Sequence, residues 1–176
     1  MGELSAEHAK EVTIRRARTG DVPALRRLLD QYVQQRILLD KAPVVLYEDI
    51  QEFWVAERAA DGQVVGCGAL HVMWEDLAEV RTLAVDRTLK GAGVGHRVLE
   101  QLLRTARELG VRRVFCLTFE VDFFAKHGFV EIGETAVETD VYIELLRSYD
   151  EGVAEFLGLE RVKPNTLGNS RMLLHL

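Results

Sequence analysis

Apolar and polar positions change period several times along this chain, and each change marks an element. Residues 12–17 alternate like a strand wetted on one face. Thr19, Gly20 and Asp21 offer caps and Pro23 suits a first helical turn. Leu25, Leu28, Leu29, Tyr32 and Val33 then recur at helical spacing. Pro43 opens a second predicted helix that includes Leu46, Tyr47 and Ile50. Residues 53–57 and 64–72 read as strands around the Asp61-Gly62 turn signal, and so as a hairpin. Residues 77–85 form the next strand. Val94, Val98, Leu102, Ala106 and Leu109 line one face of a helix that Gly110 closes. Residues 111–118 are apolar enough for a strand buried on both faces. A short helix at 122–126, stopped by Gly128, precedes a strand at 129–132. Helical turns at 140–145 and 152–157 and a closing strand at 171–176 complete the pattern. Strands that first meander and then alternate with helices predict an α/β fold, a mixed central sheet with helices on both faces.

Composition narrows the class. A chain of 176 residues, 48% hydrophobic and 28% charged, is long enough to bury a core as one domain. No apolar run approaches the ~20 residues that span a bilayer. The polar start lacks a signal-peptide core, and Ala6 replaces the Ser or Thr of a myristoylation signal, so a cytoplasmic protein off the membrane is expected. Cys67 and Cys116 lie in apolar strand runs and read as reduced core thiols. No close-spaced His/Cys set suggests a metal.

The net charge of −6 argues against a nucleic-acid partner. Residues 86–113 run the other way. There Arg87, Lys90, Arg97, Arg104, Arg107, Arg112 and Arg113 face only Asp86, Glu100 and Glu108. A basic stretch in an acidic chain suits a small polyanion. The same stretch holds Lys90-Gly91-Ala92-Gly93-Val94-Gly95-His96, between a strand and a helix start. Glycines there permit φ > 0 and close approach of a ligand to the backbone, and the unpaired N–H groups of a helix start attract phosphate. A Walker loop would need glycine at position 96, which is His96, followed by Lys-Ser/Thr. A dinucleotide fingerprint fails in both frames, at His96 and at Val98.

What remains, Lys90-Gly91-x-Gly93-x-Gly95, resembles the pyrophosphate loop of the GNAT superfamily of acetyl-CoA-dependent N-acetyltransferases, with Lys90 in place of Arg/Gln. The likeness extends well beyond the loop. Phe53-Trp54-Val55-Ala56-Glu57, Val65-Gly66-Cys67-Gly68-Ala69-Leu70, residues 78–85, residues 114–118 and Phe123-Phe124-Ala125-Lys126-His127-Gly128-Phe129 are similar to the acetyltransferase domain of N-acetylglutamate synthases. Upstream, Ile37-Leu38-Leu39 also fits. The chain further resembles short, free-standing acetyltransferases assigned to arginine biosynthesis. The tail, residues 162–171, matches the family's Tyr-Asn-x-x-Arg-x-Ser-Lys run only loosely.

The resemblance implies a single N-acetyltransferase domain at 12–176 behind a flexible N-terminus at 1–11. It implies acetyl transfer from acetyl-CoA, with no metal, to the α-amine of glutamate or glutamine as the first step of arginine biosynthesis. The partner is then a small amino acid; a homodimer fits but is not required. Cofactor contacts fall on Leu83, Ala84, Val85, Lys90, Gly91, Ala92, Gly93, Val94, Gly95 and His96. An α-amine holds its proton near neutrality, so a base is needed, and Glu79 is the candidate. Arg81 is read either as a bidentate clamp on the substrate carboxylate or as an outward strand arginine. Asn169 and Ser170 in the tail, and Arg36 and Lys41 upstream, are further candidates for the amino-acid pocket. Phe123 and Phe124 are read as packing, His127 as a helix closure, and His71 is given no role. Two rivals stay open, a protein or small-amine acetyltransferase and a silent acyl-CoA-binding regulatory module.

Overall fold

Seven strands, β1 (Val12–Arg16), β2 (Phe53–Arg58), β3 (Val64–Trp74), β4 (Leu77–Val85), β5 (Arg113–Thr118), β6 (Val130–Glu131) and β7 (Ser170–His175), form one sheet in the order β1-β2-β3-β4-β5-β7-β6. The structure is a computed structural model and describes residues 11–35, 38, 40–133, 137–158 and 169–176. The sheet is mixed. β4 runs parallel to β5, while β1–β2, β2–β3, β5–β7 and β6–β7 are antiparallel. Among the described residues six α-helices accompany it: α1 (Val22–Val33), α2 (Pro43–Glu48), α3 (Val94–Glu108), α4 (Val121–Ala125), α5 (Thr139–Leu145) and α6 (Glu151–Phe156). Among the described residues, no helix is long and apolar enough to cross a membrane. Contacts divide the chain into two units, residues 1–70 with 82–105, and residues 71–81 with 106–176.

The first unit builds its core from the predicted helical stripe. Leu25, Leu28 and Leu29 of α1 join Leu46, Phe53, Val55, Cys67, Ala69 and Ala84. Ile50 falls in a short 3-10 turn after α2 rather than within it. The glycines of β3 have a packing reason. A β-carbon on Gly68 would stand 2.8 Å from a methyl of Leu102 and 3.0 Å from one of Val98, so glycine is what lets α3 lie that close.

In the second unit, Met73, Leu77, Phe115, Leu145, Val153, Phe156, Leu157 and Leu173 form the core. The rings of Phe115 and Phe156 meet edge to face at 4.7 Å and fix α6 against β5. Gly110, at φ +86°, ends α3 as predicted. Val111 N–H reaches Ala106 C=O and Gly110 N–H reaches Arg107 C=O, the paired bonds of a Schellman stop. Leu109 lies past the last helical residue and is 59% exposed, so it does not extend the apolar face as its spacing suggested.

Candidate active site

β4 carries two sets of candidate residues in sequence. The loop after it belongs to the first unit. Asp86 caps a 3-10 turn, Arg87–Leu89, by accepting from Thr88 N–H at 2.9 Å and Thr88 Oγ1 at 2.6 Å. Tyr32 of α1 donates its hydroxyl to the Val85 carbonyl, and Arg87 donates to Gln31 C=O at 2.7 Å. These bonds moor the end of β4 and the start of the loop to α1. Gly91 and Gly93 then adopt φ +86° and +87°, conformations that other L-residues rarely take. Among the described residues nothing lies within 4 Å of where a β-carbon would sit on either, which leaves the backbone there open to a ligand. Lys90 and Gly91 are exposed, and Ala92, Gly93, Gly95 and His96 are half-buried. Ala84 and Val94 are buried, so they can offer only backbone groups. Two left-handed glycines running into α3 fit a pyrophosphate bound by main-chain N–H groups.

The other set lies in the second unit. Glu79 and Arg81 are two apart on a strand and so share a face. Both side chains are almost wholly buried, 6% and 8% exposed. Arg81 donates from Nε and Nη2 to Glu79 Oε2, at 3.1 and 2.7 Å. Its Nη1 and Nη2 also reach Asp150 Oδ2 and Oδ1, at 2.8 and 2.7 Å. All four of its hydrogen bonds thus go to these two carboxylates. Burial opposes the Arg81 charge, but Glu79 and Asp150 together raise its proton affinity. Burial opposes the Asp150 charge too. The bonds from Arg81 and the N–H of Val153, at 2.9 Å, outweigh it and hold that carboxyl well below the usual range.

Gly152 makes this packing possible. A β-carbon there would stand 2.5 Å from Arg81 Nη2 and 2.6 Å from Glu79 Oε2. One turn further along α6, Glu155 is 3% exposed, and its Oε1 has no hydrogen-bond partner among the described residues. Burial, with help from Glu79 and Glu151, pushes its carboxyl up to about 7, against Arg81 and Arg171.

The sequence-predicted residues therefore fall in definite places. Arg81 is neither an outward strand arginine nor a free clamp; it is ion-paired inside the protein. Asn169 and Ser170 lie at the start of β7, where Ser170 pairs with Thr118 of β5. Lys41 contributes its backbone carbonyl to Arg26, and Arg36, Ile37 and Leu39 lie outside the described residues. Residues 1–10 and the tail at 159–168 lie outside them as well. Phe124 packs edge to face on Phe123 and Phe129, as expected. His71, given no role from sequence, has Nε2 3.9 Å from Asp150 Oδ2. Cys67 and Cys116 are buried free thiols, and burial pushes Cys67 up to about 12, which makes it a poor nucleophile. The sequence does not mark Asp150, Gly152 and Glu155 as site residues. The Asp150-x-x-Val153 spacing signals a helix cap, but nothing local signals an ion pair to residue 81.

The pattern of the acetyltransferase (GNAT) family matches residues 22–129. The chain belongs to the GNAT acetyltransferase family. An amino-acid acetyltransferase of Mycobacterium tuberculosis is 60% identical to this GNAT chain over 162 residues, 92% of each protein. A crystal structure of M. tuberculosis Rv2747 in complex with CoA and NLQ superposes with TM-score 0.90 at 59% identity, covering 93% of this chain and 99% of that one. N-acetylglutamate synthase of Neisseria gonorrhoeae, solved with coenzyme A and N-acetyl-glutamate, superposes with TM-score 0.74 at 26% identity. That match covers 94% of this chain but 35% of the synthase. The mixed sheet and the likeness to the synthases' acetyltransferase domain are thus both borne out.

Proposed function

We propose that this GNAT protein moves the acetyl group of acetyl-CoA to the α-amine of glutamate or glutamine, in the cytoplasm, at the entry to arginine biosynthesis. The observation that carries the amino-acid part is the 60% identity, over nearly the full length of both chains, to an amino-acid acetyltransferase. The geometry supports the following reading of the residue roles. The loop at Gly91 and Gly93, with Lys90 adding charge, binds the pyrophosphate through main-chain N–H groups. The strand backbone from Leu83 to Val85 would hold the cofactor's arm, and Ala92, Val94, Gly95 and His96 complete the turn into α3.

Glu79 accepts a proton from the substrate ammonium, directly or through water. The freed amine attacks the thioester carbonyl, the new C–N bond forms, and the C–S bond breaks. The thiolate leaves as an anion or takes a proton from water, since Phe124 has none to give. Arg81 holds Glu79 in place through its two hydrogen bonds, and its remaining N–H is offered to the substrate carboxylate. Asn169 and Ser170 at the start of β7 complete the amino-acid pocket.

A thiol-release assay with acetyl-CoA across the twenty amino acids tests this reading. Glutamate and glutamine should turn over fastest. Acetylation of lysine-bearing peptides with neither amino acid accepted would overturn it and leave only the family.

A further inference from the structure

The charged groups behind Glu79 do not balance. Glu79, Asp150 and Glu155 are three buried or half-buried carboxyls, and Arg81 is the guanidinium that bonds two of them. Those two are well supplied. Glu79 takes two hydrogen bonds from Arg81, and Asp150 takes two from Arg81 and one from Val153 N–H. Among the described residues, Arg171 of β7 is a second cation acting on Glu155, but it does not serve it as a carboxylate partner. Its Nη1 and Nη2 donate to the backbone carbonyls of Phe156 and Glu155. Glu155 is therefore left 3% exposed, with Oε1 unbonded among the described residues, amid the charges of Glu79, Glu151 and Arg81. A carboxylate so placed would be a buried charge with no hydrogen-bonded cation among the described residues, which is far costlier than a buried acid.

We infer that Glu155 is the proton-holding member of this cluster, a neutral carboxylic acid whose protonation state sets the charge against which Glu79 works on the substrate amine. It is a positioning residue, acting through Glu79, and the inference rests on the reading of Glu79 as the base. With Glu155 neutral, Glu79, Asp150 and Arg81 carry one net negative charge, which a single substrate ammonium matches. Ionised Glu155 would add a second, unmatched charge. Among the described residues, the charged groups that act on it are Glu79 and Arg81 from β4, Arg171 from β7 and Glu151 from the start of its own helix; Arg81 in turn pairs with Asp150, which His71 approaches. Burial and its acidic neighbours bring its titration to about 7, so the change falls inside the working range.

Two measurements test this. Infrared spectra of the wild-type protein should show the C=O stretch of a protonated carboxylic acid. That band should fade as pH rises from about 6 to about 9, and be missing from Glu155→Gln. In parallel, the pH profile of kcat/KM for the amino acid should bend near neutrality in the wild type and lack that bend in Glu155→Gln. A purely structural role would scale the profile without changing its shape. Absence of the band, or profiles that superimpose after scaling, overturns the inference. Glu79→Gln serves as the companion variant. If it stays active, the base reading fails and the link to catalysis falls with it, while the infrared band still decides whether Glu155 holds a proton.

Discussion

The guanidinium of Arg81 occupies the space that a side chain on Gly152 would need: a β-carbon there would stand 2.5 Å from Nη2. Alanine is the better helix former by up to about 1 kcal/mol. Overpacking against a buried ion pair costs about 1–3 kcal/mol and works the other way. Gly152→Ala should therefore destabilise the protein in urea and lower kcat, with acetyl-CoA KM unchanged. A variant as stable and active as wild type would show that the Arg81–Glu79 pair moves aside freely.

Glu79→Gln keeps the size of the side chain and its acceptor toward Arg81 but removes the basic oxygen. It should lower kcat by roughly 10²–10⁴ with acetyl-CoA binding intact. Steady-state kinetics decide; a loss of only a few-fold places the base elsewhere.

Gly93 sits at φ +87° in open space, so conformation and bulk can be separated. Asparagine tolerates the left-handed region, whereas β-branched valine does not. Gly93→Val should raise acetyl-CoA KM at least ten-fold, and Gly93→Asn should raise it less. Equal coenzyme A affinity in all three folded proteins, by calorimetry, would remove the loop from the site.

Arg81→Ala would leave Glu79 and Asp150 buried without their cation, a loss of about 3–5 kcal/mol by analogy with broken buried pairs. Arg81→Lys keeps the charge but loses the planar fork. Arg81→Lys should fold, yet raise the amino-acid KM by about ten-fold or more, with acetyl-CoA KM steady. Denaturation and kinetics on the two variants separate the structural contribution from the binding one.

Stability should respond to pH with two opposite signs. The folded Asp150 carboxyl is held below its ordinary value, so its contribution is present above about pH 4 and is lost as pH falls further. Asp150→Asn, which still caps α6, should flatten that acid limb. The folded Glu155 carboxyl is raised to about 7, so its contribution is present below its ordinary value of about 4.3 and is lost as pH rises through about 7. Glu155→Gln should lose less stability than wild type over that interval. Thermal melts from about pH 3 to about pH 9 give both slopes.

Much of the fold was legible before any coordinate. Period-2 and period-3.6 patterns mark β1, β2, β4, β5, α1 and α3 to within a few residues, because apolar side chains recur on the side that packs inward. Gly91 and Gly93 announced themselves because a left-handed backbone needs glycine, a requirement that is local and visible in the chain. Glu79 could be named from sequence because its chemistry and its strand are also local. Its surroundings could not. The ion pair from Arg81 to Asp150 joins residues far apart in sequence, and the clearance at Gly152 is set by side chains of another strand. Buried charge depends on which elements pack together, so Arg81 became an ion-paired core residue, and Glu155 a buried acid whose Oε1 has no hydrogen-bond partner among the described residues, only in the tertiary structure. Sequence by itself determined the elements, the left-handed glycine loop and the choice of Glu79 as the candidate base. Packing of α6 against β4 and β5 decided the charge balance around that base, because electrostatics act through space and not along the chain.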